Sequence, residues 1–201
     1  MRQAKTAPLH PLKPTLIAAL AVLATSVDAK DLCDFERILP KSVAGMNQVK
    51  IHKTATNGQV IAFYGGKAGR ATVFILPVSG ENARGITRAS QAVLLDATAA
   101  GLKEGTKALG DNYWTGPIQT HALKADNVEM ACTKVEMRQG GQNGPPDQMR
   151  LMDRRCFTQV GDVVIGTYVT TPFKEPLRSS LEKDQLIFCG AFTSAMVNEK
   201  R

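Results

Sequence analysis

Val128-Glu129-Met130-Ala131-Cys132-Thr133-Lys134-Val135-Glu136-Met137-Arg138, then Gln139-Gly140-Gly141-Gln142-Asn143-Gly144-Pro145-Pro146, then Met149-Arg150-Leu151-Met152-Asp153-Arg154-Arg155-Cys156-Phe157-Thr158-Gln159, is the stretch that decides the fold. The middle run is crowded with Gly and Pro, which break regular structure. The two flanks therefore read as strands over 128–138 and 149–159, joined as one long antiparallel hairpin. Folded symmetrically about Gly144, the hairpin sets Cys132 opposite Cys156. Directly paired residues hold their Cβ atoms about 4.5 to 5.5 Å apart, close to what a disulfide requires.

Side chains alternate along a strand. In that register Ala131, Val135 and Met137 share a face with Leu151 and Phe157, an apolar surface suited to the core. Lys134, Glu136, Arg138, Arg150 and Arg154 share the other face with Cys132 and Cys156, and that face is expected to be the wetter one and the best place for an anionic partner. Lys134 stands opposite Arg154 there, a like-charge pair that costs some stability.

The chain holds four cysteines, Cys33, Cys132, Cys156 and Cys189. An even count in an oxidising compartment reads as two disulfides. Four cysteines allow three connectivities, and the hairpin geometry selects Cys132 with Cys156, leaving Cys33 and Cys189 to clip the N-terminus to the C-terminal helix. No Cys-x-x-Cys pair supports a redox centre or a zinc knuckle.

The oxidising compartment follows from residues 1–29. Arg2, Lys5 and Lys13 make a positive start, 16–27 is uncharged and largely apolar, and Val27-Asp28-Ala29 closes it with small residues where cleavage needs them. That is the pattern of a secretory signal peptide. The apolar run is shorter than the ~20 residues that span a bilayer. The expectation is general secretory export to a periplasmic or secreted location, a mature chain beginning at Lys30, a single α+β domain over 30–201, and no transmembrane segment after cleavage. The whole-chain net charge of +7 falls by two with the leader, which removes three cations and Asp28. A mild basic excess favours anionic envelope components, although net charge speaks first to solubility. With aromatic residues at 5% and an exported address, nucleic acid is not an expected partner.

Outward from the hairpin, a short helix over 32–39 ends at Pro40, and strands over 47–56 and 59–64 flank Asn57-Gly58, a strong hairpin turn signal. A third strand, 70–76, follows Gly65-Gly66-Lys67-Ala68-Gly69 and stops at Pro77. Residues 86–109 place Ile86, Ala89, Val93, Ala97 and Ala100 at helical spacing. A turn-rich loop over 111–117 leads to a strand over 118–123, and after the cysteine hairpin Gly161-Asp162 turns into a strand over 163–171 that Pro172 is expected to end. A last helix begins near Ser179, where Ser179-x-x-Glu182 fits a capping box, and buries Leu181, Phe188, Phe192 and Ala195. Antiparallel hairpins interrupted once by a helix give an α+β class: a mainly antiparallel sheet with one long central helix and a packed C-terminal helix.

That order, with Leu39-Pro40 and Ala44-Gly45 ahead of the first strand and Gly166-Thr167-Tyr168-Val169-Thr170-Thr171-Pro172 before an amphipathic helix, resembles the Mog1/PsbP-like α/β/α sandwich and small exported bacterial proteins of that kind. The resemblance implies an accessory or binding protein. Since members of that fold share no active site, it assigns no functional residue.

Catalytic motifs are nearly silent. His52 and His121 have no His, Asp or Glu at ligand spacing, so no metal and no cofactor are expected. Ser180-Leu181-Glu182-Lys183 matches Ser-x-x-Lys, but Lys-Thr-Gly and Ser-Asp-Asn are missing and a helix start explains the serines. Gly65 to Arg70 offers backbone N–H groups and two cations to an anion, yet ordinary turn chemistry accounts for it. Tyr113-Trp114 holds the single Trp and can anchor a partner or cover a sheet edge. No catalytic residue is assigned. The candidate binding residues are Lys134, Arg138, Arg150, Arg154, Tyr113 and Trp114. The reading is an exported, non-catalytic binding or accessory protein acting on another envelope protein or an anionic envelope component. The alternatives are a hydrolase whose site is assembled from distant residues, and an anionic-lipid or lipopolysaccharide binder.

Overall fold

Nine strands, all paired antiparallel, form one sheet in the computed structural model, which describes residues 36–53, 59–67, 69–77, 88–107, 113–125, 128–139, 150–160, 163–174 and 177–199. In chain order they are β1 (Ser42–Val43), β2 (Met46–Lys53), β3 (Val60–Gly66), β4 (Gly69–Pro77), β5 (Tyr113–Thr115), β6 (Gln119–Ala125), β7 (Val128–Gln139), β8 (Arg150–Val160) and β9 (Val163–Phe173). Helix α1 is Arg88–Lys107 and α2 is Arg178–Glu199. The leader, Cys33, the Asn57-Gly58 turn and the hairpin tip at Gly144 lie outside the described residues.

The strand order is β1-β2-β3-β4-β9-β8-β7, with β5 and β6 both on the outer edge of β7. The cysteine hairpin has the symmetric register. Cys132 pairs with Cys156, Lys134 with Arg154 and Arg138 with Arg150, and Cys132 and Cys156 are joined as a disulfide. Two short strands escape the sequence reading. Ser42–Val43 turns back on itself through Ala44 and Gly45, both at positive φ, and Tyr113–Thr115 lies inside the expected loop. The Gly65–Gly69 loop is tighter than expected, since Gly65 and Gly66 extend β3 and Gly66 pairs with Gly69. Strand β9 also runs through Pro172 to Phe173 instead of ending there. Beyond Thr170 no β4 residue pairs with β9, so a residue without an N–H is tolerated.

Helix α2 decides which sheet face is dry. Gln185, Phe188, Cys189, Phe192, Thr193 and Met196 recur at helical spacing and are all buried. They pack on Tyr64, Val73, Met130, Cys132, Cys156 and Val169. Tyr64 meets Phe188 and Phe192 edge-on, each at 5.7 Å between ring centres, and its hydroxyl donates to Pro40 O at 2.8 Å. The Gln185 amide spans two strands, donating to Met152 O at 3.0 Å and Thr171 Oγ1 at 2.8 Å.

The apolar face of the hairpin is buried as expected, with Ala131, Val135, Met137 and Phe157 in the interior, but the other face is not the wetter one. The face carrying Cys132, Lys134 and Arg154 is the one α2 covers, and Arg154 is only 2% exposed. The opposite face of β7 is dry as well. Ala131, Thr133 and Val135 are buried, and α1 packs against β7 with Leu102 and Thr98 buried. Helix α1 thus lies beside the outer edge of the sheet and not over its middle. Further along the same face, Asp153 accepts from Arg155 Nε at 2.9 Å and from Thr170 Oγ1 at 3.1 Å, and the Arg155 guanidinium stacks 4.7 Å over the Tyr168 ring. Burial pushes the Tyr168 hydroxyl up to about 12.

The second expected bridge is corrected. Cys189 is a free, fully buried thiol, turned into the core by its place on the inner stripe of α2.

Candidate functional site

Two edge strands share one neighbour here, and a gap opens where they meet. Strand β5 pairs with residues Met137 to Gln139 of β7, and β6 takes up the pairing again at Lys134. Between them Gly116 N donates to Glu136 O at 2.8 Å. A Cβ on Gly116 would sit 3.1 Å from Cη2 of Trp114, so the indole packs close over this glycine. The break in the edge and the first turn of α2 enclose a cleft of about 220 Å³, lined by Trp114, Lys134, Glu136, Arg138, Arg178 and Glu182 among others.

The lining is charged and cation-rich. Glu136 accepts from Arg138 Nε at 2.8 Å and from Arg150 Nη1 at 3.4 Å, and lies 3.3 Å from Arg178 Nη2. One carboxylate therefore organises three arginines from β7, β8 and α2. Glu182 accepts from Lys134 Nζ at 3.0 Å and from Arg178 Nε at 3.4 Å. Burial works to raise the Glu182 carboxyl, but the hydrogen bonds and charges of Lys134 and Arg178 outweigh it and hold the group below its ordinary value. Three cations of the lining, Lys134, Arg138 and Arg178, thus face two carboxylates. The Arg138 guanidinium also stacks 4.6 Å over the Trp114 ring, which fixes the wall of the cleft.

Beneath this layer lies Arg154. Its Nη1 is 2.7 Å from Nε2 of His121, while its buried Nε has no hydrogen-bond partner. Burial lowers the Arg154 guanidinium from its ordinary value, against the pull of Cys189 and Glu182. His121 is also held low, first by burial and then by the charges of Arg154 and Lys134. A neutral His121 accepts from Arg154, so its ring proton belongs on Nδ1. The Cys189 thiol, with no exposure at all, is pushed up to about 11 by burial.

Of the residues singled out in the sequence, Lys134, Arg138 and Trp114 line the cleft, and Arg150 stands behind Glu136. Arg154 does not reach it, being buried under α2. Tyr113 begins β5, and its side chain lies outside what the structure describes. Arg178 and Glu182 were missed as site residues. Their spacing of four residues on one helix was visible, but Glu182 read as half of a capping box. In the structure Ser179 is inside α2, Leu177 O accepts from Leu181 N, and Glu182 turns to Lys134 and Arg178. The Ser-x-x-Lys match places Ser180 Oγ on Leu177 O at 3.0 Å, a helix-start contact, with Lys183 exposed. His52 is exposed on β2. Among the described residues no group of three or more His, Cys, Asp or Glu is placed to hold a metal ion, and no helix is long and apolar enough to cross a membrane.

No protein-family model matches the sequence, and no curated protein matches it. Among solved structures the chain is similar to the solution structure of cyanobacterial PsbP (CyanoP) from Synechocystis sp. PCC 6803, at 9% sequence identity and a TM-score of 0.46, over 75% of this chain and 92% of that one. No ligand, partner or residue role is taken from it.

Proposed function

We propose that the protein is a non-catalytic binding or accessory protein of the bacterial envelope, exported with its leader removed, and that the cleft between β5, β6, β7 and α2 holds an anionic group of another envelope component. The observation that carries this reading is the charge arrangement. Lys134, Arg138 and Arg178 line the cleft with Glu136 and Glu182 beside the Trp114 wall, so three cations against two carboxylates leave positive charge where a ligand can enter. Low-dielectric walls focus such a field. Export is supported by the leader-like sequence and by the Cys132–Cys156 bond, a linkage that persists in oxidising compartments.

A lipid source for the anion is favoured by one further feature. Leu177 is 58% exposed next to Arg178, an apolar residue beside a cation as a membrane interface would want. Anionic lipid and lipopolysaccharide are thus the second reading, at the same cleft.

The single Trp of the chain makes the test direct. Its emission is to be followed while inositol hexakisphosphate, a soluble polyanion, is added at stepped salt concentrations. The reading expects a saturable change whose midpoint rises with salt and which is lost in the Arg138→Gln/Arg178→Gln double variant. A flat titration, or one the double variant leaves intact, contradicts it.

A further inference from the structure

We infer that Glu182 is an internal stand-in for the ligand: its carboxylate occupies the anion position between Lys134 and Arg178, and a phosphate monoester dianion binds by displacing it. This rests on the reading of the cleft as an anion site and adds which group is exchanged and which ligand class gains from the exchange.

The two carboxylates of the cleft are not equivalent. Glu136 is 10% exposed at its side chain and contacts arginines from three elements, so it is locked into the framework. Glu182 is 27% exposed, sits in the first turns of α2 and touches two cations, Lys134 and the more open Arg178. A carboxylate on one flexible side chain can swing into solvent at little cost, whereas Glu136 is held by Arg138, Arg150 and Arg178 together.

Charge then selects the ligand. With Glu182 swung away, the lining cations Lys134, Arg138 and Arg178 face Glu136 across the cleft, and Arg154, paired across the ladder with Lys134, adds to the same field from below. A carboxylate or a phosphodiester brings one negative charge and only replaces what Glu182 already supplied. A phosphate monoester brings close to two charges at neutral pH and three terminal acceptor oxygens. Lys134 and Arg178 can hold two of those oxygens, since arginine presents a fork of donors and lysine a point charge. The Trp114 ring remains as an apolar wall for the organic part of the ligand.

The test uses calorimetry on the full mature chain with glycerol 3-phosphate, dimethyl phosphate and acetate, and vesicle cosedimentation with phosphatidic acid against phosphatidylglycerol. Glycerol 3-phosphate should bind more tightly than the two monoanions, weaken as pH falls through the second phosphate ionisation near pH ~6, and bind roughly threefold to tenfold more tightly to Glu182→Gln. Lys134→Gln and Arg178→Gln should weaken it. Preference for phosphatidic acid over phosphatidylglycerol vesicles, with weaker binding of the soluble ester, assigns the group to a lipid and still supports the exchange. Should the monoester bind through Lys134 and Arg178 with Glu182→Gln unchanged or weaker, the exchange is overturned while the cleft reading stands. Binding of no probe, or binding indifferent to Lys134→Gln and Arg178→Gln, overturns both.

Discussion

Arg154 and His121 meet at 2.7 Å between Nη1 and Nε2, under helix α2 and behind the charged cleft. The contact joins β8 to the edge strand β6 across β7, and it requires a neutral imidazole. Protonated, His121 has no lone pair to offer and adds a cation beside Arg154 and Lys134.

Stability should therefore depend on pH through His121. Its folded value lies below the ordinary 6.5, so the unfolded chain takes up the proton first. The contribution is fully present above pH ~6.5 and is lost as pH falls from there through the folded value. Chemical denaturation between pH 8 and pH 5 should show that loss. His121→Gln, which keeps an acceptor for Arg154, should flatten this part of the profile. An unchanged slope in the variant would remove His121 as its source.

The arginines of the hairpin should separate sharply on mutation. Arg154→Ala empties a site that is 2% exposed and removes its long buried stem, at a cost of about 2–5 kcal/mol. Arg154→Met, near in volume and uncharged, should recover much of that, because an unneutralised buried guanidinium is itself costly. Arg138→Gln sits in the partly open cleft and should cost no more than about 1 kcal/mol. Equal effects at the two positions would mean that Arg154 is not enclosed by α2.

Thiol chemistry should follow burial. In the folded protein Cys189 should resist alkylation, being fully buried with its thiol pushed up to about 11. After denaturation without reduction, peptide mapping should find Cys189 alkylated, and Cys132 and Cys156 only once a reductant is added. Reducing Cys132–Cys156 should lower stability by about 3–4 kcal/mol on the chain-entropy account of a loop this long. Recovery of a disulfide-linked Cys189 peptide would contradict the arrangement in α2.

What could be read from the sequence was local, and what could not was the result of packing across elements. The strands of the cysteine hairpin, their register about Gly144 and the Cys132–Cys156 bond follow from turn chemistry and pairing geometry alone. The burial of the Ala131–Val135 face followed as well, but that of the second face did not, because the residues that cover Cys132 and Arg154 are on α2, far along the chain, and a row of Lys, Glu and Arg looks wet until a helix is laid over it. The cleft was half legible. Lys134, Arg138 and Trp114 were visible as a cationic and aromatic set, but Glu136 as a hub needs Arg178 from α2, and Glu182 gave a capping signal that tertiary pairing overrode. Strands of two and three residues, β1 and β5, are too short to show a period, and β5 is one wall of the site.

The most direct test of the cleft as an anion site is anomalous diffraction from crystals grown without sulfate or phosphate and soaked in tungstate, a heavy analogue of the phosphate group. The account predicts a leading anomalous peak within hydrogen-bond distance of Lys134 Nζ and the Arg178 guanidinium, with the Glu182 side chain turned away from both. A cleft without a peak, while tungstate binds at other surface cations, would contradict it.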